Sequence, residues 1–83
     1  MKTSELDTAL REAAGVIERV DVPGRELTVR IGGAPCLFAL APDCQLVLHG
    51  EPVKLRMLQA LDRAHLRYAR AGDDLIAYQV RVL

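Results

Sequence analysis

From Gly15 onward the chain alternates apolar and polar positions over short runs that are broken by turn residues. Leu27, Val29 and Ile31 alternate with Thr28 and Arg30, and Cys36, Phe38 and Leu40 repeat the same two-residue period. That period puts one face of each run into a core, so both predict strands. Pro23-Gly24 and Gly32-Gly33 supply the turns on either side of the second strand. In the first strand, expected over 16–22, Ile17 and Val20 break the alternation, and a β-bulge would return both to the core side. Ala41-Pro42-Asp43 is expected to end the third strand, Leu46 to Leu48 forms a fourth, and His49-Gly50-Glu51-Pro52 stops it. The last strand spans 75–83, with Ile76, Tyr78, Val80 and Val82 on one face and Ala77, Gln79 and Arg81 on the other. It carries no proline and only Arg81 to discourage edge pairing, so it is the expected edge for association of two chains.

The stretch 53–70 obeys two patterns at once. Leu55, Leu58, Leu61 and Tyr68 fit a helical stripe made of strong helix formers, with Gly72 as a C-cap. Ala64, Leu66 and Tyr68 also alternate with Arg63, His65 and Arg67, and Ala71-Gly72-Asp73-Asp74 makes a hairpin loop into the final strand. Dividing the stretch satisfies both: one helical turn near 56–60, then a strand over 63–70 with Arg63, His65 and Arg67 facing outward. Residues 1–13 read as a short N-terminal helix or a flexible tail, since Ser4 can cap with Asp7 and Leu6 and Leu10 share a helical face. Residues 14–83 form a single domain. The fold class is mostly β, a small five- or six-stranded OB-like or SH3-like barrel.

The order of motifs supports that choice. Gly15-Val16-Ile17-Glu18-Arg19-Val20-Asp21, Leu27-Thr28-Val29, Phe38-Ala39-Leu40, Gly50-Glu51-Pro52-Val53-Lys54-Leu55 with Leu58, Asp62-Arg63 with Leu66, and Ala77 with Val80 and Val82 resemble a group of small bacterial OB-like barrels. These are the uncharacterised domain family 5666 and the related periplasmic copper chaperones of the CusF type. The matched positions are structural, and they imply a barrel strand after Asp62 in place of a helix. In that family a glycine precedes the Asp, where this chain has Leu61.

Composition narrows the function classes. Of 83 residues, 51% are apolar, with one Phe, two Tyr and no Trp, so the interior is built on Leu and Val. Eleven Lys and Arg balance eleven Asp and Glu, and a net charge of zero steers the whole chain toward no polyanion or membrane. The first fifteen residues hold no apolar run, which fits neither a secretory signal nor a membrane span. The expected compartment is therefore cytoplasmic, or exported if a targeting segment has been removed. Cys36 and Cys44 are expected to be thiols, being spaced for no closed zinc site.

Soft-metal chemistry is the first candidate, because the resemblance points to copper and copper(I) favours sulfur with imidazole. The positions that hold the chaperones' methionines and tryptophan fall at Cys36, Ala34 and Ile31, so one soft donor survives and no metal or other cofactor is expected. A site recruited elsewhere would have to draw on the weak candidates Cys36, Cys44, His49 and Met57, with His65. Their ordinary roles are a small core hydrophobe for Cys36, a core gap filler for Met57 and exposed polar groups for the histidines. No nucleophile, base and orienting group stand together, so the chain is expected not to be an enzyme. Gly32-Gly33 lacks the strand-to-helix context of a phosphate loop.

The basic stripe Lys54, Arg56, Arg63, His65 and Arg67, with Arg70, is the remaining feature, opposed within 54–70 by Asp62 alone. OB-like barrels bind single strands by joining such a groove to stacking aromatics, of which only Tyr78 is expected to be free. The expected function is a non-enzymatic binding module acting on a protein partner or on a second copy of itself. Single-stranded nucleic acid at the stripe, and a degenerate relative of the copper chaperones, are the alternatives.

Overall fold

The computed structural model describes residues 10–83, and the N-terminal helix or tail expected over 1–13 lies, for residues 1–9, outside the described residues. Six strands follow: β1 (Arg11–Asp21), β2 (Glu26–Ile31), β3 (Ala34–Leu48), β4 (Glu51–Pro52), β5 (Arg63–Ala71) and β6 (Asp74–Val82), with a 3-10 turn at Leu55–Met57. They form one sheet in the order β2-β1-β5-β6-β3-β4, and the additional β2–β3 pairing closes it. The result is a closed five-strand barrel, with β4 as a short sixth strand on β3. Closure depends on β3 and β6, which run parallel, while the other pairs are antiparallel. Among the described residues no helix is long and apolar enough to cross a membrane.

The expected bulge in β1 is present. Ile17 pairs with Val29 and Arg19 with Thr28, so Glu18 is the extra residue and the alternation resets around it. Ile17 is fully buried and Val20 packs against the core. Strand β1 begins at Arg11, five residues before the expected Val16, because 11–16 pair with β5 and only 16–21 pair with β2. Residues 11–13 are therefore strand and not helix. Gly32 and Gly33, with φ of +59° and +84°, form the tight turn between Ile31 and Ala34.

Three local expectations change. Pro42 does not end β3, which continues for 15 residues, because its register shifts between Leu40 and Gln45 and the strand bends there. Pro42 sits in that gap, where no ladder donor is required. The alternation in β6 flips at Tyr78: Leu66 faces Val80 but Tyr68 faces Ala77, so Tyr78 bulges out at 40% exposure while Ala77 is fully buried. Strand β6 is also not an edge, since β5 and β3 flank it along its length, and pairing of two chains through 75–83 is closed off.

The stretch 53–62 crosses from β4 to β5 as a 3-10 turn and extended chain, with the turn one residue earlier than expected. It drops Leu55 and Leu58 into the core, where their burial outweighs the helix propensity of the segment. Leu61, the third member of the helical stripe, is instead 83% exposed, with φ of +80°. Met57 is exposed as well, not a core filler. The core proper is Ile17, Leu27, Val29, Phe38, Leu66, Ala77 and Val80, all fully buried, with Phe38 edge-on to Tyr68 at 5.2 Å between ring centroids.

Candidate functional site

Strand β5 brings Arg63, His65 and Arg67 onto the outer face, as their alternation with buried Ala64 and Leu66 requires. The barrel changes that stripe in two ways. From β1, Glu12 lies opposite Arg67, placing its carboxylate 3.1 Å from His65 Nε2 and 3.9 Å from Arg67 Nε. From β6, Arg81 lies opposite His65, adding a cation that the linear spacing did not reveal. Tyr78 projects from the bulge next to Gln79, the partner of Arg67. His65 is half-buried, and its Nδ1 is buried with no hydrogen-bond partner among the described residues.

Lys54 and Arg56 do not line that face with them. They stand with Arg25 around an open cleft of about 430 Å³ between the β1–β2 turn, the bend of β3 and the 53–56 segment. Cys44 lines the same cleft. Burial pushes its thiol up from 9.0 to about 11, with nearby Arg25 pulling against that and Asp43 adding to it. The thiol therefore stays protonated at neutral pH and is a poor nucleophile.

The weak metal candidates are dispersed. Cys36 packs half-buried against the core near the β2–β3 turn, Cys44 lies in the bend of the same strand, and both are free thiols. His49 is exposed in the β3–β4 turn, and Met57 is on the 3-10 turn. Ile31, Ala34 and Cys36, the positions that the resemblance assigns to copper ligands, do meet at one hairpin end, where Ile31 pairs with Ala34. Among the described residues no group of three His, Cys, Asp or Glu could hold a metal ion.

A third surface was missed by the sequence reading. Where β1 passes from β5 to β2, Val16 lines two adjoining clefts, one with Ala60 and Leu61 and the other with Ala14 and Leu83. Leu61 N donates to Ile17 O at 2.7 Å, and Leu83 N donates to Arg63 O at 3.0 Å. These bonds fix the two leucines on either side of the Val16–Arg63 pair, 83% and 65% exposed. Arg19, Arg63 and the Glu18–Arg30 ion pair form the rim. Periodicity could not find this surface, because Leu61 fits the helical stripe and reads as core.

The closed barrel with a parallel β3–β6 seam defines the chain's class as a small OB-like barrel. No protein-family model matches the chain, and no curated protein matches it by sequence. Among solved structures it is similar to Escherichia coli CusF in its Ag(I)-bound form, with 14% identity, 96% of this chain and 99% of that chain covered, and a TM-score of 0.76. The apo form of the same protein gives 14% identity, coverage of 100% and 98%, and a TM-score of 0.74. The fold is thus that of a CusF-like small barrel, as the resemblance implied.

Proposed function

We propose that the protein is a non-enzymatic binding barrel whose apolar face at Val16, Leu61 and Leu83 holds a protein surface, a second copy of the chain being the occupant. The observation that carries this reading is Leu61. A non-glycine residue at φ of +80° strains the backbone by about 1–2 kcal/mol, and 83% exposure returns nothing from burial. Folding alone would favour glycine there. A leucine in that place is accounted for by contact with another molecule. The rim carries both signs, Glu18 beside Arg19, Arg30 and Arg63, so two copies related by a twofold axis can complement each other. A net charge of zero adds no long-range repulsion between them.

Sedimentation tests this reading. The apparent mass should rise above 9.1 kDa with concentration, and Leu61→Ser should hold it there. Leu61→Gly should do the same while raising unfolding stability by about 1 kcal/mol, because it relieves the backbone strain. Loss of association alongside a gain in stability separates a contact role from a folding role. A wild-type chain that stays monomeric at millimolar concentration overturns the proposal.

A second reading is favoured by the outer face of β5 and β6, where Arg63, His65, Arg67 and Arg81 stand beside the exposed ring of Tyr78. It is binding of single-stranded nucleic acid, with phosphates on the arginines and a base on the ring. Three engaged phosphates would give a log-log salt slope of about −2, and replacing Arg67 and Arg81 with Ala should reduce its magnitude by about 1.4. An unchanged slope, or no binding at low salt, removes it. The CusF likeness also raises soft-metal binding, which the pairing of Ile31, Ala34 and a single Cys36 supports poorly.

A further inference from the structure

The cleft that holds Lys54 and Arg56 has a composition that neither reading uses. Its cations come from two separate parts of the chain, Arg25 from the β1–β2 turn and Lys54 and Arg56 from the 3-10 segment. Among the described residues none of the three lies within ion-pair distance of a carboxylate. Asp43 is near enough to act on Cys44, and with it counted the cleft still has an excess of positive charge. Its floor is apolar: Leu46 and Leu55 are buried and Val53 is half-buried.

Arg25 is held in place there. Its backbone O accepts from Leu40 N at 2.9 Å, and its Nη2 donates to Ala41 O at 3.2 Å. That leaves most of the guanidinium's five donors unused and oriented. Val53 N donates to Leu46 O at 2.9 Å and Met57 N to Lys54 O at 2.9 Å, so the opposite wall is also fixed by backbone bonds. Convergent cations over an apolar floor are the complement of an anionic head on an apolar body.

We infer that this cleft is a binding site for a small organic anion, a carboxylate or phosphate monoester with a short aliphatic or aromatic body. The head sits among Arg25, Lys54 and Arg56, and the body lies on Leu46, Val53 and Leu55. Cys44, neutral and half-buried in the wall, makes no charge contribution and serves as a reporter of occupancy.

Calorimetric titration of the full chain with hexanoate, hexyl phosphate, inorganic phosphate and hexylammonium tests the site. Saturable one-to-one binding of hexanoate or hexyl phosphate is expected, and whichever binds more tightly identifies the head group. Arg25→Gln and Arg56→Gln should each weaken binding about tenfold, in line with the loss of a charge-assisted hydrogen bond. Far-ultraviolet circular dichroism should be unchanged, since all three cations are exposed. In a Cys36→Ser background, alkylation of Cys44 should slow when the bound probe covers it. Leu61→Ser should leave this binding intact, which separates the site from the association face. Hexylammonium binding as well as hexanoate, inorganic phosphate binding as tightly as hexyl phosphate, no saturation up to about 10 mM, or unchanged affinity in the variants would each overturn the assignment.

Discussion

Replacing Gly15 with alanine is expected to cost the domain a large share of its stability, although it adds one methyl group at a half-buried position. A Cβ there would lie 2.2 Å from Arg30 O and 2.9 Å from side-chain carbons of both Val29 and Ile31. The first of these is backbone, so no rotamer change can relieve it. Gly15 pairs with Ala64 on β5, and the next residue, Val16, pairs with Arg63 on β5 and Arg30 on β2. The strand can pass from one neighbour to the other only if its backbone lies close against the end of β2. Overpacking of this kind costs about 3 kcal/mol, which for a chain of this size lowers Tm by roughly 12–24 °C. Gly32→Ala is the control: its φ of +59° is unfavourable, but nothing lies within 4 Å, so about 1 kcal/mol is expected. Thermal unfolding of the two variants checks the difference. Equal losses would mean that the close approach of β1 to β2 does not limit stability.

Phe38→Ala is expected to remove more than half of the domain's stability. It is the chain's one phenylalanine, fully buried in β3 at the level where β2 and β6 both pair with that strand. Truncating a buried Phe costs about 3–5 kcal/mol, and losing the edge-on contact with Tyr68 adds about 0.5–1.5 kcal/mol. A domain of 83 residues has roughly 4–12 kcal/mol in total. Urea titration followed by circular dichroism should show the midpoint falling by more than half, while Phe38→Leu should lose much less. A loss under about 1.5 kcal/mol would show that the core collapses around the missing ring.

Much of the barrel was legible in the sequence because strands and two-residue turns are local. Alternation found β2 and, with the motif order, the strand after Asp62, and the broken alternation at Ile17 and Val20 pointed to a bulge in β1, which falls at Glu18. What failed depended on partners elsewhere in the chain. Pro42 looks like a strand end until β3 is seen to pair with β6 on both sides of it. The alternation of β6 looks unbroken until the register against β5 shows that Tyr78 has no partner. The candidate surfaces divide along the same line. Arg63, His65 and Arg67 share a face by period alone, but Glu12 and Arg81 join them only through pairing. Lys54 and Arg56 are close to that stripe in sequence, and the turn at Leu55–Met57 sends them to a different cleft, where Arg25 meets them.

The parallel seam between β3 and β6 sets the order in which the barrel can be completed. As the chain leaves the ribosome, β1, β2 and β3 can zip together as hairpins, and β5 can add to β1. Until β6 arrives, however, β3 and β5 each present an unpaired edge toward the gap it will fill. No hairpin can substitute for it, since the seam joins segments separated by more than thirty residues, Phe38 with Leu75 and Leu48 with Val82. The final strand acts as a keystone. A nascent chain stalled before Asp74 is an open sheet with two adhesive edges, and its protection from aggregation comes only once Asp74–Val82 has been made.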